Sequence, residues 1–321
     1  MQISYGPMEG ITGHIYRMAH KDIFGGVDTY HAPFIAPDSQ GNFKVKGLKD
    51  LDPSNNRGID LVPQLLVNKA EPFLLVTEQL KDMGYDKVEL NIGCPSATVV
   101  GKHKGSGMLL DLESLERCLD RIFQDSPLPV WIKTRMGMED VEEFGRIAEL
   151  YSRYPIQRLT IHARVRADMY KAAAQPLALL PYLDSFPFPV WYNGDIFSPE
   201  DVQALAAAGE KYEGIMLARG AVADPALPRR IKGGEPLSLE ELRAFHGRLI
   251  DDFQSQGSPQ ATAARMKELW SYMQCKFPGC KKQIKELFKA KSLGELCSCA
   301  EQLFSSGSFQ ALQPFPGTTK L

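Results

Sequence analysis

The sequence predicts an α/β fold of the (β/α)₈ TIM-barrel kind, followed by a small C-terminal helical bundle. Three observations carry this expectation. Over the first 232 residues short apolar runs of strand length alternate with stretches of helical period, eight strand candidates can be counted, and no strand pattern recurs beyond Lys232. An open doubly wound sheet is the alternative, but the Gly-x-Gly-x-x-Gly fingerprint expected after its first strand is missing.

The strand candidates are residues 3–7, 27–31, 60–66, 87–91, 130–133, 158–162, 190–193 and 214–218. Between them, 71–83, 112–123, 141–154 and 199–208 repeat apolar residues at helical spacing. The glycine-rich stretch 101–107 is no Walker loop, because no Lys-Ser/Thr pair follows its glycines. Gly233-Gly-Glu-Pro236 then reads as a linker, dividing a barrel domain (1–232) from a helical domain (237–321) across residues 233–236. In the latter, Ser238 and Glu241 form a capping box, and Leu239, Leu242, Phe245, Leu249 and Phe253 lay an apolar stripe along the helix it opens. Further helices are expected over 260–277, 281–290 and 293–304.

At 321 residues, with 44% hydrophobic and 24% charged residues, the chain has ample material for a real core. No apolar run approaches the roughly 18 residues of a membrane span. The N-terminus lacks the basic and apolar regions of a secretion signal, and six cysteines without regular spacing suit a reducing compartment. The expectation is a cytoplasmic protein that touches no membrane. A formal net charge of −2 gives no general nucleic-acid signal, yet residues 265–291 hold eight Lys or Arg against two Glu. A solvated helix face is the commoner reason for such a run; a surface for a polyanion is the other. Cys275, Cys280, Cys297 and Cys299 have a poor spacing for zinc and read as ordinary thiols, so no metal site is expected.

In a barrel of this kind, polar residues at the C-terminal ends of the strands converge on one pocket. Here those tips hold Pro7, Met8, Glu9 and Gly10; Gln64; Asn91 and Cys94; Lys133 and Arg135; His162 and Arg164; Asn193, Gly194 and Asp195; and Ala218, Arg219 and Gly220. Cys94 follows a short buried strand in Val88-Glu-Leu-Asn-Ile-Gly-Cys-Pro-Ser96, where a thiol is either placed for chemistry or is a small buried hydrophobe. Loops after the seventh and eighth strands often hold a phosphate, and Gly194, Gly220 and Arg219 stand there, which points to a phosphate-bearing cofactor. Lys133 and His162 would face its rings, unless Lys133 forms a structural ion pair with Asp195 or Glu9.

With these residues assembled, the chain resembles the tRNA-dihydrouridine synthases over nearly its whole length. Pro7-Met-Glu-Gly10 is similar to that family's opening flavin turn, and Asn91-Ile-Gly-Cys-Pro95 to its catalytic motif. Val130-Trp-Ile-Lys-Thr-Arg-Met-Gly137, Ile161-His-Ala-Arg164 and Asn193-Gly-Asp195 match its later strand motifs, and Ala264-Arg-Met-Lys-Glu-Leu-Trp270 resembles its RNA-binding region. The resemblance implies FMN, reduced by NADPH or NADH. Gln64, Lys133 and His162 would contact the flavin ring, and Asn193, Gly194, Asp195, Ala218 and Arg219 the ribityl chain and phosphate. Hydride would pass from the flavin to C6 of a uridine in tRNA, and a proton from Cys94 to C5.

A thiol with a reference pKa of about 8.5 is mostly protonated at neutral pH and can donate in this way. By the same resemblance Asn91 and Arg135 would grip the base, and Arg164, Arg265 and Lys267 would contact RNA phosphates. A monomer without an obligate protein partner is expected. Departures from the pattern occur at Gly6, Ala163 and Ala218, at Tyr30-His-Ala32 and at Lys102-His-Lys104. A flavin-dependent barrel oxidoreductase acting on a free small molecule is the alternative reading, and an RNA-binding protein that has lost catalysis is a third.

Overall fold

The computed structural model describes residues 1–209 and 212–317. Among these described residues nine short strands form one sheet: β1 (Gln2–Tyr5), β2 (Thr29–His31), β3 (Leu61–Val62), β4 (Gln64–Leu65), β5 (Val88–Ile92), β6 (Val130–Arg135), β7 (Arg158–His162), β8 (Val190–Asn193) and β9 (Gly214–Leu217). Their spatial order is β3-β2-β1-β9-β8-β7-β6-β5-β4. The two ends of that order, β3 and β4, are separated in sequence by Pro63 alone, so the sheet curls into a nearly closed TIM-like barrel with eight staves. The expected strand 60–66 is split there because proline has no N–H to give the ladder. Its carbonyl still serves, accepting from the amide of Glu89 at 2.9 Å.

Alternation along the staves sorts their side chains. On β5, Val88, Leu90 and Ile92 are wholly buried on the apolar face that helices cover, while Glu89 and Asn91 take the opposite, barrel-facing side. Ser4, His31, Gln64, Arg158 and Thr160 are also buried, and the Arg158 guanidinium lies over the rings of Trp191 (3.1 Å) and Trp131 (4.5 Å) and donates to Ser4 Oγ at 2.5 Å. The barrel is thus filled by a polar, partly charged stack rather than by aliphatic layers alone.

Two compact units emerge. The first comprises Met1–Pro7, Asp28–Asp195 and Gln203–Met216, and the second Met8–Val27, Ile196–Val202 and Leu217–Leu321. The grouping is not linear along the chain, since the helix His14–Ile23 falls with the C-terminal helices.

In the first unit, helices Ala70–Asp82 and Leu112–Asp125 occupy the expected stretches. The stretch 141–154 starts as a 3₁₀ turn at Val141–Glu143 before becoming the helix Phe144–Tyr151. Its tight start follows from Glu143, whose carboxylate accepts from the backbone N–H groups of Met138, Glu139 and Asp140.

In the second unit the four expected tail helices run over Leu239–Gln254, Pro259–Met273, Lys281–Lys289 and Leu293–Phe304. The capping box at Ser238 and Glu241 forms as the sequence requires. Phe245 packs edge-on against Tyr16 and Phe24, and Trp270 is buried among His246, Phe277 and Phe304. Among the described residues no helix is long and apolar enough to cross a membrane.

Candidate active site

At the tip of β5 the backbone has to turn, and Asn91 makes it do so. Its Oδ1 accepts from the N–H groups of Gly93 (3.0 Å) and Cys94 (2.9 Å), closing a side-chain-to-backbone turn. The Cys94 carbonyl accepts from both the amide and the hydroxyl of Ser106. Gly105 permits that closure: it has φ of +57°, and a Cβ there would lie 2.8 Å from the Cys94 carbonyl oxygen and 2.9 Å from its Cβ. The outcome is a pinned turn with a half-buried thiol, not the buried hydrophobe that the residue type also allowed.

Behind the turn runs a chain of buried side chains. Asn91 Nδ2 donates to Gln64 Oε1 (2.6 Å), Gln64 Nε2 donates to Glu89 Oε2 (2.5 Å), and His31 Nδ1 donates to the same Oε2 (3.1 Å). Burial alone would raise the Glu89 pKa. Electrostatic attraction to His31, the hydrogen bonds from His31 and Gln64 and the charge of Lys133 outweigh it, so the carboxyl is held below its usual range. Burial likewise pushes the His31 pKa down, leaving a neutral ring that donates through Nδ1–H.

Strand register brings the other tips beside this chain. Asn91 pairs with Lys133, Arg135 with His162, and His162 with Asn193. Lys133 makes no ion pair or hydrogen bond among the described residues, which removes the structural pairing considered from sequence; Asp195 is paired with Arg164 instead. Burial lowers the Lys133 pKa to about 8, with Glu89 and Cys94 pulling it back up and Arg135 opposing them. It is therefore mostly cationic at neutral pH and electrostatically in touch with the thiol.

Two arginines lie deeper than the sequence suggested. Arg135, expected on the base, is wholly buried and donates to the carbonyls of Gly93 (3.0 Å), Val165 (2.9 Å) and Met169 (3.1 Å). It braces the Cys94 turn against the loop after β7. Arg164, expected on an RNA phosphate, is 2% exposed and is held by Asp195, by the Ala172 carbonyl (2.8 Å) and by His162 Nε2 (3.1 Å). A guanidinium can only donate, so Nε2 of His162 is the acceptor and its proton sits on Nδ1. Asn193 donates to the Met216 carbonyl (2.8 Å), and a Cβ at Gly194 would fall 2.1 Å from the Tyr192 hydroxyl, so that ring would have to move for any larger residue.

The second unit carries the remaining candidates. Met8 opens a turn closed by Thr12, whose Oγ1 accepts from the Met8 amide at 2.8 Å, while Glu9 is exposed. Ala218 leads into the helix Arg219–Ala223, and Arg219 donates to the Gly317 carbonyl (2.5 Å). Arg265 is exposed, its guanidinium 4.9 Å from the Phe253 ring centre. Lys267, expected on RNA, donates instead to the Ala290 carbonyl at 2.5 Å.

The stretch of chain that carries these residues is matched by a family profile. The profile described as Dihydrouridine synthase (Dus) covers residues 4–301 of the chain. The chain belongs to this dihydrouridine synthase family. It is 30% identical to the tRNA-dihydrouridine(16) synthase of Neisseria meningitidis over 239 residues, covering 72% of this chain and 71% of that one. It is 26% identical to a probable tRNA-dihydrouridine synthase 1 of Synechocystis over 316 residues, covering 95% and 87%. Among solved structures, morphinone reductase in complex with tetrahydroNAD superposes with a TM-score of 0.51 at 13% identity, covering 76% of this chain and 90% of that one. That likeness concerns the barrel fold.

Among the residues around Cys94, the sequence did not single out Glu89, the partnership of His31, or Tyr170. The signal for Glu89 was present, a carboxylate two residues before Asn91 on the same strand face. Tyr170 is 44% exposed, with its ring beside His162 (5.9 Å) and the Arg135 guanidinium (5.3 Å). It gave no sequence signal, because the loop that carries it has no strand register to read.

Proposed function

We propose that this dihydrouridine synthase reduces a uridine of tRNA to 5,6-dihydrouridine, with FMN as its cofactor and NADPH, or NADH, as reductant. The observation that carries the reading is the half-buried Cys94 thiol, pinned by Asn91 and Ser106 beside a lysine that has no partner of its own. The residues fit a flavin. An unpaired, largely buried ammonium at Lys133 needs an electron-rich acceptor, and the second N–H of Gln64 remains to be donated. The flavin, when bound, supplies the hydride that C6 of the base receives.

The chain's own residues supply the rest. Gln64, Lys133 and His162 hold the ring, and Asn193, Gly194 and Asp195 line the way toward its phosphate end. By resemblance alone, Pro7, Met8, Glu9, Ala218 and Arg219 are assigned to the same cofactor. Cys94 donates a proton to C5, and the positive charge of Lys133 steadies the thiolate that remains. Asn91 offers its free N–H to a carbonyl of the base, and Tyr170 supplies a flat face at the rim. A base in a stack cannot reach this position, so the nucleotide has to be extruded, with exposed cations of 237–321 such as Arg265 holding the backbone.

The test is direct. The purified protein should be yellow, or become so with FMN, and should form dihydrouridine in tRNA taken from a strain lacking the gene. Reduction of a free pyrimidine at a rate equal to that of tRNA, undiminished by removal of residues 237–321, would instead identify a small-molecule oxidoreductase.

A further inference from the structure

The geometry points to Glu89 as a positioning residue that fixes the direction of a hydrogen-bond relay ending on the backbone of Cys94. The inference rests on the function proposed above, and it concerns a residue that touches neither base nor thiol.

The relay is directional at both ends. The N–H groups of Gly93 and Cys94 can only donate, so the oxygen of Asn91 must face them and its nitrogen must face Gln64. The carboxylate of Glu89 can only accept, so the nitrogen of Gln64 must face it and the oxygen must face Asn91. Both requirements are met by one orientation of each amide. The flipped orientation of Gln64 would set oxygen against carboxylate and nitrogen against nitrogen. Glu89 thereby aims Gln64 at whatever lies over the barrel mouth, and holds Asn91 to the turn that presents the thiol. His31 completes the arrangement by donating to the same carboxylate oxygen.

This is not a proton path, because the two amides in its middle have no proton to hand on at neutral pH. Nor does fold stability account for it. Glu89 Oε1 and His31 Nε2 are both buried without a hydrogen-bond partner, and a buried pair with such orphans is poor value against apolar side chains of the same size. What the pair does supply is a fixed direction. Lys133 and Arg158 are the charges facing it, and both are felt by Glu89 and His31 across the barrel interior.

The test compares Glu89→Met, Glu89→Gln and the double variant His31→Phe/Glu89→Met. The double variant leaves no half of a buried pair behind and serves should Glu89→Met fold poorly. Three measurements are made on each flavin-loaded protein: the alkylation rate of Cys94 by iodoacetamide, the melting temperature, and kcat and KM for tRNA.

In Glu89→Gln the amide oxygen can still accept from Gln64, so it should recover most of what Glu89→Met loses. Glu89→Met and the double variant should show kcat at least tenfold lower with KM nearly unchanged, and Cys94 alkylation altered at least threefold, with melting within a few degrees of wild type. Equal impairment of Glu89→Gln and Glu89→Met would overturn the proposal in favour of a pure charge effect, and an unchanged alkylation rate in the double variant would overturn it outright. The alkylation rate does not depend on RNA reduction. A wild-type protein inactive on tRNA would therefore discredit the functional reading, leaving the relay to be judged by the thiol alone.

Discussion

Lys133 shows how a site residue works against the stability of its own fold. Its pKa falls from 10.5 to about 8 because burial penalises the cation more than Glu89 and Cys94 compensate. Between those two values the unfolded chain binds more protons than the folded one. Stability therefore rises with pH across that window, and the cost of the buried cation is felt in full below it. The drop corresponds to roughly 3 kcal/mol as an upper bound, since part of the side chain reaches solvent. Lys133→Met should accordingly be more stable than wild type at pH 7, by on the order of 1–3 kcal/mol, with the gap closing toward pH 10, while turnover collapses. Urea melts at pH 7 and pH 9.5 check this, and a gap equal at both would refute it.

At this scale Cys94 and Asn91 were legible because a strand followed by a Gly-x-Pro break announces a tip, and Lys133 because it ends the next apolar run of strand length. Glu89 was visible as a carboxylate on the strand face of Asn91, but its role was not, since that depends on His31, 58 residues away in the chain. Arg135 and Arg164 were misplaced for a physical reason: arginine is by default a surface residue, and only the closed barrel supplies enough carbonyls and carboxylate to bury two of them.

The helical elements follow local rules closely, as the capping box at Ser238 illustrates, but their interiors hold what periodicity does not reveal. His246, on the helix Leu239–Gln254, is buried against Trp270 and Phe304 with its Nε2 lacking a partner. Burial lowers its pKa from 6.5 to about 4. Between those values the unfolded chain again binds more protons, so stability falls as pH drops from 6.5 toward 4. The loss reaches about 2 kcal/mol at pH 5 from this residue alone. His20, buried with Nε2 on the Pro225 carbonyl, behaves alike. In His246→Phe the decline of the melting temperature between pH 7 and pH 5 should be visibly shallower than in wild type; parallel curves would contradict the assignment.

Elsewhere the sequence misjudged elements where one residue overrode a period, and it left the helices His14–Ile23 and Val45–Leu51 unread. Pro63 split a stave, and Glu143 tightened the start of a helix that the 3.6-residue rhythm extended unbroken over 141–154.

Across the whole molecule, charge is distributed as the sequence suggested, with one refinement. Of the eight basic residues in 265–291, Lys276 is not on the surface: its ammonium is buried against Asp224 (3.0 Å) and the carbonyls of Ala311 (2.8 Å) and Gln313 (2.9 Å). It ties residues 311–313 to Asp224 within the second unit. Lys281, Lys282, Lys285, Lys289 and Lys291 remain exposed, most of them along one helix. Replacing Lys281, Lys282 and Lys285 together by Ala should raise KM for tRNA on the order of tenfold at moderate salt and flatten its salt dependence, with kcat little changed. An unaltered salt slope would show that this face is merely solvated.

Proton delivery from Cys94 to a uridine held in RNA is tested by the dihydrouridine that the protein forms, detected by mass spectrometry, in tRNA from a strain lacking the gene. Wild-type protein and Cys94→Ala should carry the same flavin content, with the variant losing at least about 100-fold in rate, as removal of a positioned general acid does. Equal rates from the two proteins would remove Cys94 from the chemistry.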